Sequence, residues 1–137
     1  MRKQELIELA YKARERAYAP YSDFRVGAAL LGRSGKVYLG CNVENAAYTP
    51  TNCAERTAFF KAVSEGEREF LQIAIVGGKG TERSGKTCAP CGVCRQVMME
   101  FCAPEKFEII LENGSGGIQV FLLKDLLPLG FGPDALR

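Results

Sequence analysis

The sequence predicts one α/β domain spanning residues 1–137, a three-layer α/β/α sandwich around a mixed sheet of about five strands. Three observations point there. Short apolar runs of strand length recur at five places, and segments with helical spacing or helix-start signals interleave with them. A chain of 137 residues is also long enough for one sizeable core but not for two.

Near the N-terminus, "KQELIELAYKARERAYA" carries Leu6, Ala10, Ala13 and Ala17 at helical spacing. Ile7 and Tyr11 lie beside them, the charges fall largely on the other side, and Pro20 closes the segment. "FRVGAALL" (24–31) and "KVYLGC" (36–41) are apolar runs joined by the turn Arg33-Ser34-Gly35, which predicts a hairpin. "NVENAAYTPTN" (42–52) is rich in Asn, Thr and Pro and reads as a surface loop. A helix is expected from near Cys53 to about Ser64, with Gly66 as its stop signal. "FLQIAIVG" (70–77) reads as a strand, and "GKGTERSGKT" (78–87) as a polar, glycine-rich loop. In "CAPCGVCRQVMMEFC", Pro90 stands just before a further helix. "FEIILE" (107–112) and "IQVFLL" (118–123), separated by "NGSGG", supply two more strands. A short helix around Lys124 to Leu127 ends at Pro128. Spacing leaves the strand order open.

Close to half of the residues are apolar, a quarter are charged, and the net charge of +2 comes from interspersed acids and bases. That distribution offers no basic stripe, so no nucleic-acid partner is expected. "GKGTERSGK" lacks the G-x-x-x-x-G-K-[ST] spacing of a phosphate-cradling loop. The opening Met1-Arg2-Lys3-Gln4-Glu5 lacks the apolar core of a secretory signal, and no stretch has the apolar length to span a bilayer. The expectation is a cytoplasmic protein with no membrane partner.

There are six cysteines, Cys41, Cys53, Cys88, Cys91, Cys94 and Cys102, and no histidine. In a reducing compartment, clustered cysteines point to metal or catalysis more than to disulfides. Cys91 and Cys94 form a C-x-x-C at the opening of one helix, and Cys53 sits at the opening of another. Thiols at i and i+3 share a face of the first turn, and the free N–H groups of a helix start favour the thiolate. Three thiolates fill three corners of a tetrahedral Zn²⁺ site and leave the fourth open, the mark of a catalytic zinc. Glu55, two residues beyond Cys53, projects near such an ion without binding it, where a carboxylate can move a proton. Cys88 extends the pattern to C-x-x-C-x-x-C, the opening of an iron–sulfur motif, but the further cysteine followed by proline is missing after Cys94. It reads as a loop cysteine, and Cys41 and Cys102 as packed small apolar residues.

A metal ligand followed by x-E and later by P-C-x-x-C is the pattern of the zinc deaminases. "FRVGAALL", "NVENAAY", "NCAERTA" and "PCGVCRQV" follow one another here as in the cytidine deaminases, and roughly residues 5–131 resemble their short, all-cysteine, homotetrameric type. The resemblance implies one zinc per chain held by Cys53, Cys91 and Cys94, with Glu55 as proton shuttle. It implies that Phe24 packs against a pyrimidine, and that Asn42 and Glu44 hydrogen-bond the ribose hydroxyls. The backbone at Ala54 and the side chains of Asn45 and Tyr48 belong to the same pocket region, with Tyr48 acting in its own or a neighbouring subunit. Phe131, in "PLGFGPDAL", corresponds to an aromatic residue that reaches an adjacent subunit's site. The implied activity is hydrolytic deamination of free cytidine and deoxycytidine to uridine and deoxyuridine, with release of ammonia, in pyrimidine salvage. Other readings are a related deaminase acting on another cytosine nucleoside analogue, and a structural zinc module without catalysis.

Three thiolates leave the site of a dication negatively charged, which weakens a Lewis acid. A guanidinium donating to the sulfurs would restore electrophilicity. The resemblance places Arg56 in that role, and Arg95, next to Cys94, is the second candidate.

Overall fold

In the computed structural model, which describes residues 1–137, the first two apolar runs pair as an antiparallel hairpin of β1 (Phe24–Gly32) and β2 (Val37–Cys41). On its other edge β1 runs antiparallel to β3 (Phe70–Lys79). β3 pairs in parallel with β4 (Glu108–Glu112), which pairs antiparallel with β5 (Ile118–Leu122). The sheet is therefore mixed, five-stranded, and ordered β2-β1-β3-β4-β5.

Helices cover both faces. α1 (Lys3–Arg14) packs Leu6, Ile7 and Ala10 against Ala29, Leu31, Ala74, Val76 and Ile110. α2 (Ala54–Ser64) and α3 (Gly92–Phe101) bury Ala58, Phe59 and Met98 against Ala28, Leu30, Ile73, Ile75, Ile109 and Leu111 on the opposite face. Successive residues of β1 and β3 thus enter different cores, which is why their sequences read as continuous apolar runs instead of alternating ones. α3 lies in the crossover between the parallel strands β3 and β4. α4 (Leu123–Leu126) follows β5 directly, and a 3₁₀ turn spans Pro133–Leu136.

Two expectations change. The first helix stops at Arg14 instead of continuing toward Pro20, because the chain peels away to pair Tyr18 with Val43. Arg14 itself is buried rather than solvated. Its guanidinium donates to the carbonyls of Arg25, Gly78, Gly80 and Glu82, so a buried cation is matched by backbone acceptors. These bonds also tie the end of β3 to the start of the long loop before α3. The second change is that Asn42 is buried, although it sits in the segment read as a surface loop.

Both faces rest on close approaches that only glycine permits. A Cβ on Gly27 would lie 2.0 Å from the Ala10 carbonyl oxygen of α1, and one on Gly40 would lie 2.4 Å from the Ala54 carbonyl oxygen of α2. Gly40 thereby seats the first turn of α2 on the sheet. Gly40→Ala is expected to destabilise the fold by about 1–3 kcal/mol through overpacking, read as a lower urea midpoint. A midpoint equal to the wild type would contradict the close approach.

Candidate active site

Two helix starts and two loops converge at one end of the sheet. Cys53 is the N-cap of α2, with extended backbone angles that turn it out of the helix. Cys91 is the N-cap of α3, and its sulfur accepts from the backbone N–H of Cys94 at 3.5 Å. Capping position and third helical position face each other across the first turn, so the C-x-x-C spacing brings two sulfurs to 3.4 Å. The Cys53 and Cys91 sulfurs are 3.7 Å apart, and all three Sγ atoms lie within 4.8 Å of one another.

Tetrahedral zinc with bonds of about 2.3 Å to sulfur requires sulfurs about 3.8 Å apart, and the pairs at 3.4 Å and 3.7 Å lie close to that spacing. The donor set also fits, since three soft thiolates suit zinc. Cys88 stands outside the triad. Its thiol lies over Gly77, where a Cβ would come within 2.6 Å of its sulfur, and burial pushes it up to about 12. Cys102 is buried in the core, and the half-buried Cys41 donates its S–H to the Arg16 carbonyl.

Arg56 answers the question of charge. Its Nη2 donates to the Cys53 sulfur at 3.2 Å, and that bond raises the guanidinium's pKa further. Arg95 turns elsewhere, with Nε donating to the Pro90 carbonyl at 2.8 Å and Nη1 to the Leu126 carbonyl at 2.7 Å. Hydrogen bonding from Cys94, reinforced by Arg56 and Cys91, holds the Cys53 thiol down at about 5. Hydrogen bonding to Cys53, with burial adding to it, pushes the Cys94 thiol up instead.

Glu55 is 4 % exposed. Burial, with the nearby Cys53 sulfur adding to it, pushes its carboxyl up to about 7. A carboxyl poised near neutrality can both take and return a proton.

The triad opens onto a cavity of ≈ 250 Å³. Cys53, Cys91 and Glu55 line it, together with Phe24, Asn42, Glu44 and the Ala54 backbone at the start of α2. As the first residue of the helix, Ala54 has an N–H with no partner inside α2. Asn42 is held by β1, its Oδ1 accepting from the Val26 N–H at 2.9 Å and its Nδ2 donating to the Phe24 carbonyl at 2.8 Å.

Asn45, Tyr48 and Phe131 do not line this cavity. Asn45 organises its own loop, its Oδ1 accepting from the Ala47 N–H at 2.9 Å. Tyr48 is 92 % exposed and Phe131 is 59 % exposed, the Phe131 carbonyl accepting from Gln96 Nε2. Ser22, Val26, Thr51, Asn52, Cys88 and Ala89 complete the wall. Sequence reasoning passed over Ser22, Thr51 and Asn52 because short polar residues in loops are the ordinary material of turns. Their signal was adjacency to Phe24 and Cys53.

Comparison with known proteins agrees with this geometry. The family model described as "Cytidine and deoxycytidylate deaminase zinc-binding region" matches residues 1–109. The chain is similar to the cytidine deaminase of Sporosarcina psychrophila, at 50 % identity over 97 % of this chain and 93 % of that one. It is also 50 % identical to the cytidine deaminase of Halalkalibacterium halodurans, over 100 % of this chain and 99 % of that protein. Among solved structures, that of cytidine deaminase from Burkholderia pseudomallei superposes with a TM-score of 0.85 at 51 % identity, covering 96 % of this chain and 100 % of that one. Cytidine deaminase from Mycobacterium tuberculosis gives a TM-score of 0.79 at 38 % identity, covering 96 % and 98 %. On a family model that spans most of the chain and relatives at half identity over nearly all of it, this chain belongs to the cytidine and deoxycytidylate deaminase family.

Proposed function

We propose that this protein is a zinc-dependent deaminase of free cytidine and deoxycytidine, with Cys53, Cys91 and Cys94 holding one zinc per chain. The observation that carries the reading is a three-sulfur cluster opening onto the same cavity as a buried carboxyl, Glu55, whose pKa is raised. A purely structural zinc module has no use for that carboxyl, whose burial costs stability.

When bound, zinc supplies a Lewis acid that makes water a nucleophile near neutral pH. Glu55 accepts one proton from the water that adds to C4 and gives it to ring N3. It then takes the second proton from the added hydroxyl and gives it to the exocyclic amine, which leaves as ammonia as the C4–N bond breaks. Phe24 packs against the pyrimidine, the Asn42 amide hydrogen-bonds a sugar hydroxyl, and the Glu44 carboxylate accepts from one. The Ala54 N–H, free at the helix start, is available to a substrate acceptor. Arg56 draws charge from the Cys53 sulfur, which offsets the donation of three thiolates.

The cavity lining has no lysine or arginine and carries the acidic groups Glu44, Glu55 and Cys53. They oppose a 5′-phosphate, which favours the nucleoside over the nucleotide within this family. We assign Tyr48 and Phe131 to a neighbouring subunit's pocket in a homotetramer; their exposure away from their own cavity supports this. A cytoplasmic location and a place in pyrimidine salvage belong to the same reading, supported by a site that needs reduced thiols.

The test is ammonia release from cytidine, deoxycytidine, cytosine and CMP, with zinc stoichiometry measured on the same sample. Turnover of the two nucleosides with about one zinc per chain is expected, and turnover of CMP alone would overturn the substrate assignment. Arg56→Gln is expected to lower kcat by about 10- to 100-fold while most of the zinc stays bound. An unchanged rate would remove Arg56 from the charge-balancing role.

A further inference from the structure

Glu44 is far less free than a carboxylate reserved for substrate would be. Its Oε1 accepts from the backbone N–H groups of Tyr21 at 3.0 Å and Ser22 at 3.1 Å. Its Oε2 accepts from the Ser22 hydroxyl. The two oxygens of a carboxylate offer about four lone-pair sites, so these three bonds leave a single acceptor site. The Ser22 hydroxyl oxygen in turn accepts from the Phe24 N–H at 3.0 Å. Ser22, Phe24 and Glu44 all line the one cavity.

The turn that carries Ser22 is itself held on both sides. The Asp23 N–H donates to the Ala19 carbonyl at 3.0 Å, and the Asp23 carbonyl accepts from the Gly80 N–H at 3.0 Å. Asp23 has a φ of 58°, the left-handed geometry that lets the chain reverse directly into β1. The Glu44 backbone N–H donates to the Tyr18 carbonyl at 2.8 Å, so the two loops are stitched together beneath the carboxylate. The Ser22 hydroxyl, ahead of the backbone donors, holds the Glu44 carboxyl below the usual carboxylate range.

We propose that Ser22 is a positioning residue for sugar recognition, its hydroxyl aiming the one remaining acceptor site of Glu44 at a single sugar hydroxyl of the nucleoside. This rests on the functional reading above and assigns to it a residue that does not take part in the proton chemistry. Without the hydroxyl, Oε2 has two open sites and the carboxylate can turn about its terminal torsion, which is broad and soft. Binding of a sugar hydroxyl then has to order the carboxylate first, so the loss falls on binding and not on the chemical step.

The experiment measures kcat and KM for cytidine, and the inhibition constant of 2′,3′-dideoxycytidine as a competitor, for the wild type, Ser22→Ala and Ser22→Thr. Ser22→Ala is expected to raise the cytidine KM about tenfold, the weight of one hydrogen bond to a charged group, with kcat within about twofold. The dideoxy competitor lacks both ring hydroxyls, the 2′ and the 3′, that Glu44 is assigned to read and keeps only the 5′-hydroxyl, so its inhibition constant is expected to stay unchanged. Ser22→Thr, which keeps the hydroxyl, is expected to restore the cytidine KM. An equal weakening of both ligands would mean that Ser22 acts through Phe24 or the turn, and would overturn the proposal, as would no change in either. Failure of the wild type to release ammonia from cytidine would instead fail the functional reading itself. Ser22 is exposed, so its replacement by alanine is not expected to prevent folding.

Discussion

Glu55→Gln is expected to leave the fold and about one zinc per chain in place while reducing deamination by at least about 10³-fold. Glutamine keeps the shape and the hydrogen-bonding reach of the carboxylate but can neither take nor return a proton. The side chain is 4 % exposed and its carboxyl is pushed up to about 7 by burial, so the native residue is there at a cost to stability. The sign follows from linkage. With a folded pKa above the unfolded value, this burial costs nothing while both states are protonated. The cost grows as pH rises from the ordinary carboxyl range toward about 7, and is constant above that. At neutral pH and above, metal-free Glu55→Gln should therefore be at least as stable as the metal-free parent. The measurements are single-substrate kinetics, zinc content and the thermal midpoint across pH. A variant that still turns over cytidine at a tenth of the parental rate would remove Glu55 from proton transfer.

Cys94→Ala is expected to abolish both zinc binding and activity. It removes the buried sulfur of the triad, and the two that remain, 3.7 Å apart, offer only two corners for the ion. Metal affinity is also part of folding free energy in a site assembled by two helix starts, so the thermal midpoint should fall toward that of the chelated wild type. Cys88→Ala is the control. Its sulfur lines the cavity wall outside the triad, and the variant should keep about one zinc per chain. Zinc retained by Cys94→Ala, or lost by Cys88→Ala, would overturn the ligand set.

Much of the fold was legible in residue spacing because both sheet faces are covered. β1 and β3 read as unbroken apolar runs for the physical reason that alternate side chains feed two different cores. Helix starts were legible wherever a special residue sat at the capping position, as at Cys53 and Cys91. The end of α1 was not, because Ala17 continues the helical spacing, whereas in the structure Tyr18 bridges to Val43. Nor was the burial of Arg14, a charge on a helix otherwise read as solvated on that side. Four backbone carbonyls from β1, β3 and the following loop make its burial tolerable, and no local pattern encodes them.

The sequence by itself determined the ingredients of the site. Three thiols lie at helix starts, a glutamate follows one of them by two residues, and no histidine is present to dilute the thiolate charge. Those are local facts, set by the geometry of a first helical turn. Tertiary structure decided which arginine meets the sulfur, against sequence proximity: Arg95 adjoins Cys94, whereas Arg56 stands three residues from Cys53. Arg56 lies one turn from the Cys53 sulfur and bonds it, whereas the Pro90 and Leu126 carbonyls capture Arg95. It also decided that Asn42 is pinned to β1 and that Ser22 closes on Glu44. Those contacts join residues far apart in the chain, and their partners are chosen by the register and layering of the sheet, which spacing along a single chain does not specify.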